Sequence, residues 1–206
     1  MKKSIILYSI GLSRNFYNRV KFGRKSPRFN QHVWIAPSID KLYYGKLESH
    51  RKAILSGKVV TSSWPFEKTT PLSERVKMQI CHRRWVEGMS WKEAGAYEWM
   101  EKSLKRNGVI DGCRNKSDIV ERYKTLDNVY LLAKESGGFH ERFFVNIHIG
   151  PDGTLFFGYG GGAHRLAIAH ILKFPVQARI GLVHIDGFPR FFELQQRRKD
   201  FLSTRR

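Results

Sequence analysis

The pattern of apolar and polar residues predicts a chain of alternating strands and helices. Four segments show the period-two alternation typical of half-buried strands: residues 32–35, 143–149, 154–159 and 175–183. Four others place apolar residues at helical spacing: residues 72–89, 91–105, 119–133 and 164–173. From residue 119 to 183 the order is helix, strand, turn, strand, glycine-rich turn, helix, strand, which predicts a compact α/β unit.

Capping signals predict where two of the helices begin. Ser90 and Glu93 are three residues apart, as in a capping box, and predict the start of helix 91–105. Ser38 follows a short apolar strand and a proline, and it predicts the start of another short helix. The apolar positions of that helix are Ile39, Leu42 and Tyr43.

The predicted fold class is α/β (α+β), with a small mixed sheet and packed helices. A single α/β domain is expected over residues 32–189, with a mainly helical insertion at about 46–118. A basic N-terminal arm, residues 1–31, precedes this domain, and a basic tail, residues 190–206, follows it.

Charge is the strongest feature of the composition. The 206 residues include 37 Lys and Arg against 18 Asp and Glu, a net charge of +19, and the first acidic residue is Asp40. Such an excess favours an anionic partner, whether nucleic acid, a phospholipid surface or a phosphorylated small molecule. Basic termini are equally often simply solvated, so the excess does not choose among these partners.

Cysteine usage and hydropathy bear on the compartment. Two cysteines without a CxxC motif favour a reducing cytoplasm. No segment approaches the roughly 20 apolar residues needed to span a bilayer. Residues 4–22 have the composition of a basic amphipathic helix that could lie on an anionic membrane, so a peripheral membrane location is the alternative.

The most informative motif is a run of glycines at the start of a helix. Gly160, Gly161 and Gly162 are followed by Ala163, His164 and Arg165. Glycines allow positive φ and close approach of a ligand, and a helix N-terminus presents free N–H groups and a positive dipole to an anion. Arginine adds a fork suited to phosphate oxygens. The alternative is a tight turn whose glycines only permit close packing.

This junction and the order of elements around it resemble the ParB/sulfiredoxin superfamily. The resemblance covers residues 119–183, about a third of the chain, with residues 33–42 similar to the leading strand of that family. In the superfamily the turn holds nucleotide phosphates. The resemblance therefore implies a nucleotide site formed by six positions here: Gly160, Gly161, Gly162, Ala163, His164 and Arg165.

Departures from the superfamily pattern narrow the implied function. Sulfiredoxins carry a cysteine where this chain has Ala163, so a sulfinic-acid reductase is not expected. Chromosome-partitioning ParB proteins continue into a helix-turn-helix domain, for which the residues after Val183 are too few. The turn is most similar to that of free-standing ParB-like kinases, which implies ATP, ADP or CTP with Mg²⁺ and a small hydroxyl-bearing substrate.

A kinase needs a carboxylate near the acceptor hydroxyl. Asp40, Glu48 and Glu93 are the candidates, and each has a structural alternative. Asp40 suits a helix cap, Glu48 a charged helix face, and Glu93 the capping box.

Three functions therefore stay open. The first is a nucleotide-dependent phosphotransferase acting on a small molecule. The second is a nucleic-acid-binding protein or nuclease that uses the basic arm. The third is an accessory protein of envelope or polysaccharide assembly that is held at the membrane surface.

Overall fold

The computed structural model describes residues 2–38, 40–45, 55–66, 69–139, 144–157 and 162–203. The chain forms two compact units. The sheet unit comprises Met1–Leu72, Phe143–Gly160 and Pro175–Arg206, and the helical unit comprises Ser73–Arg142 and Gly161–Phe174. This division differs from the expected arm, domain and tail, because both termini belong to the sheet unit.

The sheet unit combines a mixed seven-stranded sheet with two helices, counted over the described residues. The helices are α1 (Lys2–Phe22) and α6 (Phe188–Ser203). The strands are β1 (His32–Ile35), β2 (Leu42–Gly45), β3 (Lys58–Val60), β4 (Thr69–Pro71), β5 (Phe144–Ile149), β6 (Leu155–Phe157) and β7 (Val176–His184). Their order is β1-β7-β5-β6-β2-β4, and β3 also pairs with β7. Parallel and antiparallel pairs occur together, which confirms the α/β fold class.

The core of the sheet unit lies around β5 and β7. Their alternating apolar residues are fully buried, among them Ile147 and Ile180, which are direct partners in the parallel ladder. Helix α6 packs on β1 and β7, with Phe191 and Leu194 fully buried. The segment expected to be a basic tail therefore begins as a core helix.

A buried histidine interrupts the ladder between β5 and β7. The register shifts between Ile147 and Ile149, and Nδ1 of His148 accepts a hydrogen bond of 2.9 Å from the N–H of Leu182. A glycine leaves space for this ring, since a Cβ at Gly181 would lie 2.5 Å from the imidazole. Burial lowers the pKa of His148 to about 4, so the ring is neutral near pH 7.

The helix expected after Ser38 is wrong. Leu42–Gly45 forms strand β2, in which Leu42 and Tyr43 pair with Leu155 and Phe156 of β6. The few apolar residues after Ser38 fit either period, and pairing with β6 and β4 decides in favour of a strand.

The helical unit contains four helices within the part of the chain that the structure describes. They are α2 (Val76–Trp85), α3 (Ala96–Asn107), α4 (Lys116–Ser136) and α5 (Ala163–Ile171). Helix α2 packs on α5, and α4 contacts both α3 and α5. Among the described residues, every helix of the protein is too short or too polar to cross a bilayer.

The expected start of helix 91–105 is wrong by several residues. The capping-box hydrogen bonds do form, from Ser90 N–H to Glu93 Oε2 (2.8 Å) and from Glu93 N–H to Ser90 Oγ (3.2 Å). They close a separate turn, because Gly95 adopts φ 83° and interrupts the helical backbone. Helix α3 begins after this glycine, at Ala96.

One carboxylate joins three segments of the helical unit. Asp127 of α4 accepts hydrogen bonds from the guanidinium of Arg84 and from the indole N–H groups of Trp85 and Trp91. Burial opposes ionisation of Asp127, but these hydrogen bonds outweigh it and lower the pKa of the carboxyl group. Two of the tryptophans thus hold the helical unit together.

Candidate anion site at the start of α5

Helix α5 begins at a glycine with a left-handed backbone. Gly162 is the N-cap residue, with φ 93°, and its carbonyl accepts the first helical hydrogen bond from the N–H of Leu166. The N–H groups of Ala163 and His164 precede this bond and have no acceptor within the helix. This φ is one that residues with a Cβ rarely adopt, so the backbone favours glycine at the cap.

The structure places only part of the expected glycine-rich turn. Gly160 and Gly161 lie outside the described residues, as does Glu48. Ala163 and Arg165 are half-buried in the first turn of α5. His164 points into the helical unit and is 5% exposed.

The imidazole of His164 is held neutral by its surroundings. Its ring meets the ring of Tyr123 edge-on, with centroids 5.9 Å apart. Burial, together with the nearby charges of Lys77 and Arg122, lowers the pKa of His164 to about 3, against an opposing effect of Asp111. At neutral pH the His164 ring can therefore donate one hydrogen bond and accept another, but it carries no charge.

Two cations and one carboxylate accompany this histidine. Nζ of Lys77 lies 2.5 Å from Oδ2 of Asp111. Arg122 donates to the carbonyl oxygen of Asp111 at 2.9 Å, and its other terminal nitrogen lies 3.7 Å from the carboxylate. Burial raises the pKa of Asp111, but the hydrogen bond and charge of Lys77, together with Arg122, reverse this and lower it. With His164 neutral, the cluster carries a net charge of about +1.

Asp111 itself has an unusual backbone. Its φ is 50°, in the left-handed region that few residues other than glycine adopt, although aspartate tolerates it better than most. The following glycine, Gly112, also has positive φ, and an isolated bridge between Ile110 and Cys113 closes the loop. The loop thereby presents both the carboxylate and the carbonyl of Asp111 to the two cations.

Three buried polar atoms near this cluster have no hydrogen-bond partner among the described residues. They are the hydroxyl of Tyr123, Nε2 of His164 and Nε of Arg122. Buried polar atoms are nearly always paired in folded proteins, so three such atoms in one cluster have hydrogen-bonding capacity for a water or a ligand. Orphan donors beside a net positive charge suit an anion with several oxygens.

The expected catalytic carboxylates do not join this cluster through any described contact. Glu93 is exposed, and the side-chain and backbone hydrogen bonds of Ser90 lower its pKa. Asp40 belongs to the sheet unit, where it borders an open groove of about 840 Å³. Its carboxylate is 1% exposed and is bound by Arg190 and Arg197.

Sequence reasoning missed most of the charged cluster. Lys77, Asp111 and Arg122 come from α2, a loop and α4, so no spacing along the chain connects them. Tyr123 lies within the predicted helix 119–133 at the spacing of a core residue, and it is fully buried. The Asp111-Gly112 pair was the one local signal, since such pairs favour left-handed turns.

Comparison with known proteins returns no relative. No family model, no curated protein and no solved structure matches this chain. The resemblance to the ParB/sulfiredoxin superfamily therefore stays a prediction. Among the described residues, no group of three or more His, Cys, Asp or Glu side chains is arranged to hold a metal ion.

Proposed function

We propose that the start of α5 binds the phosphate of a nucleotide or phosphorylated small molecule. The observation that carries this proposal is the set of three orphan polar atoms beside Lys77 and Arg122. Lys77 and Arg122 supply charge, while Tyr123 and His164 supply directed hydrogen bonds. Asp111 positions the two cations.

The proposed reaction class is nucleotide-dependent phosphotransfer to a small hydroxyl compound. Its support is the resemblance of the Gly-Ala-His-Arg turn to ParB-like kinases, together with the phosphate chemistry of the cluster. Asp111 forms ion pairs with Lys77 and Arg122, so its carboxylate is poorly placed to bind a metal ion as well. Mg²⁺ would be carried by the phosphates, where it would offset their charge.

Replacing Lys77 by methionine is expected to weaken phosphate binding by about tenfold or more, because a charge-assisted hydrogen bond is lost. Binding is measured by calorimetry and thermal shift with inorganic phosphate, ATP, ADP, CTP and GTP, each with Mg²⁺. The matched control is Lys124→Met, which removes an exposed lysine paired with Glu121 and should leave binding unchanged. Equal binding by the two variants, or no stabilisation of wild type by any of these compounds, would contradict the site.

Tyr123→Phe is expected to act in opposite directions on binding and on stability. Removing an orphan buried hydroxyl should raise the free energy of unfolding of the ligand-free protein by about 1 kcal/mol. The same change should weaken phosphate binding several-fold, because it removes a donor from the site. Urea unfolding with and without phosphate separates the two effects. A loss of ligand-free stability would show that the hydroxyl is already satisfied, for example by a buried water.

The reaction itself needs a separate test. ³¹P NMR of ATP with Mg²⁺ and a panel of small hydroxyl compounds would reveal a new phosphate ester and ADP. Phosphate binding without any such product would support the binding site and would contradict the proposed kinase activity.

A further inference from the structure

The middle of helix α1 attaches to the sheet unit through polar residues. Arg14 donates to the carbonyl of Ser56 at 2.8 Å, and Asn15 accepts from the N–H of Phe29 at 2.7 Å. Buried Asn18 donates to the carbonyls of Pro27 (2.6 Å) and Gly57 (2.8 Å). On the same face, Gly11 lies so close to Phe29 that a Cβ would sit 2.7 Å from that ring.

The opposite face of α1 is apolar and exposed. Leu12, Phe16 and Val20 are spaced four residues apart, so they form one stripe along the helix. Phe16 and Val20 are 72% and 71% exposed, and Leu12 is also exposed. A surface helix normally turns its apolar stripe toward the core. Helix α1 instead leaves this stripe exposed, which suits a partner that covers it from outside the chain.

The basic residues around the stripe indicate what kind of surface it contacts. Exposed Arg19, Lys21, Arg24 and Lys25 lie beside or just after the stripe, and no acidic residue precedes Asp40. Nucleic acid would attract these cations but would leave the apolar stripe in water. An anionic bilayer satisfies both features, because acyl chains take up apolar side chains and headgroups attract cations.

We propose that α1 lies flat on an anionic phospholipid surface, with Leu12, Phe16 and Val20 in the interface. Basic residues around the stripe then contact the lipid headgroups. This inference is independent of the phosphate site and can fail without affecting it.

The test is co-sedimentation of the full chain with vesicles of phosphatidylcholine alone or mixed with phosphatidylglycerol. Wild type should bind the mixed vesicles, bind the neutral ones much less, and lose binding as salt rises. The double variant Phe16→Ser/Val20→Ser should weaken binding to mixed vesicles by about tenfold or more, given the apolar surface it removes. Arg19→Gln/Lys21→Gln should weaken it by about 25-fold, since each basic residue near the surface contributes about a fivefold effect.

Two control variants make the same chemical changes elsewhere. Leu131→Ser/Leu132→Ser removes two exposed leucines of α4, and Lys105→Gln/Arg106→Gln removes two exposed cations of α3. Both should bind mixed vesicles as wild type does, and circular dichroism confirms that all variants are folded.

Three results would overturn the proposal. The first is equal vesicle binding by stripe and control variants. The second is concentration-dependent dimerisation that Phe16→Ser/Val20→Ser abolishes while wild type ignores vesicles, which would assign the stripe to a second copy. The third is binding to DNA, but not to vesicles, that needs Arg19 and Lys21 and tolerates loss of Phe16.

Discussion

Replacing Asp40 by alanine is expected to lower the free energy of unfolding by about 3 kcal/mol, the lower end of the range for breaking a buried ion pair. The Asp40 carboxylate accepts hydrogen bonds from Arg190 (2.5 Å) and Arg197 (2.8 and 2.9 Å), both on α6. It also accepts from the N–H of Ala36 at 2.7 Å. Without it, two partly buried guanidinium groups keep only the half-exposed Glu193 as a shared anion.

Glu193→Gln is the matched control for this variant. Glu193 also bonds to both Arg190 and Arg197, but its side chain is 48% exposed. Solvent screens such a pair, so its loss should cost less than about 1 kcal/mol. Urea unfolding followed by circular dichroism measures both variants. Similar losses from Asp40→Ala and Glu193→Gln would contradict the view that burial makes Asp40 the anchor of α6.

The same variant separates an anchoring role of Asp40 from a catalytic one. If Asp40 is an anchor, Asp40→Ala lowers stability, and any effect on the proposed phosphotransfer disappears at temperatures where the variant stays folded. A catalytic carboxylate would instead abolish phosphotransfer with stability unchanged.

The parts of the fold that local pattern determines were predictable. Residues of β5 and β7 alternate or run continuously apolar over lengths that suit a strand, and they form the centre of the sheet. Strand β2 cannot be told from a helix by local pattern, because its few residues carry no decisive period. Its identity depends on β4 and β6, which lie far away in sequence, and long-range pairing of this kind leaves no local signal.

Only part of the candidate site can be predicted from the sequence. The cap at Gly162 and the position of His164 follow from one short motif. Lys77, Asp111 and Arg122 converge only through the packing of separate segments. The exposed stripe of α1 is also hidden in the sequence, because hydrogen bonds that Asn15 and Asn18 make with loop backbone hold the opposite face inward.

Acidification from pH 6.5 to 4 is expected to destabilise the protein through His148 by roughly 3 kcal/mol, the free energy equivalent of its pKa shift. Burial lowers the pKa of His148 to about 4, against about 6.5 in an unfolded chain. The full stability is therefore present above pH 6.5. Below it the unfolded state takes up a proton that the folded state excludes, and stability falls until the folded pKa is reached.

The structure explains why the folded protein resists this proton. Nδ1 of His148 already accepts the N–H of Leu182, so protonation there would break the hydrogen bond that bridges the register shift. His164 adds a second loss of the same sign in the helical unit, because its pKa is lowered to about 3.

A non-titrating variant isolates the effect from the general acid sensitivity of carboxylates. His148→Asn keeps an acceptor near Nδ1 but takes up no proton, so its unfolding free energy should fall less steeply than that of wild type between pH 6.5 and 4. Urea unfolding at a series of pH values gives both slopes. His82→Asn, at a side chain that is 55% exposed, should retain the wild-type slope. If His148→Asn and wild type instead lose stability in parallel, then protons reach the His148 ring without disrupting the sheet. That result would mean that the ring leaves its tight position beside Gly181 easily, although a Cβ at Gly181 would lie only 2.5 Å from the ring.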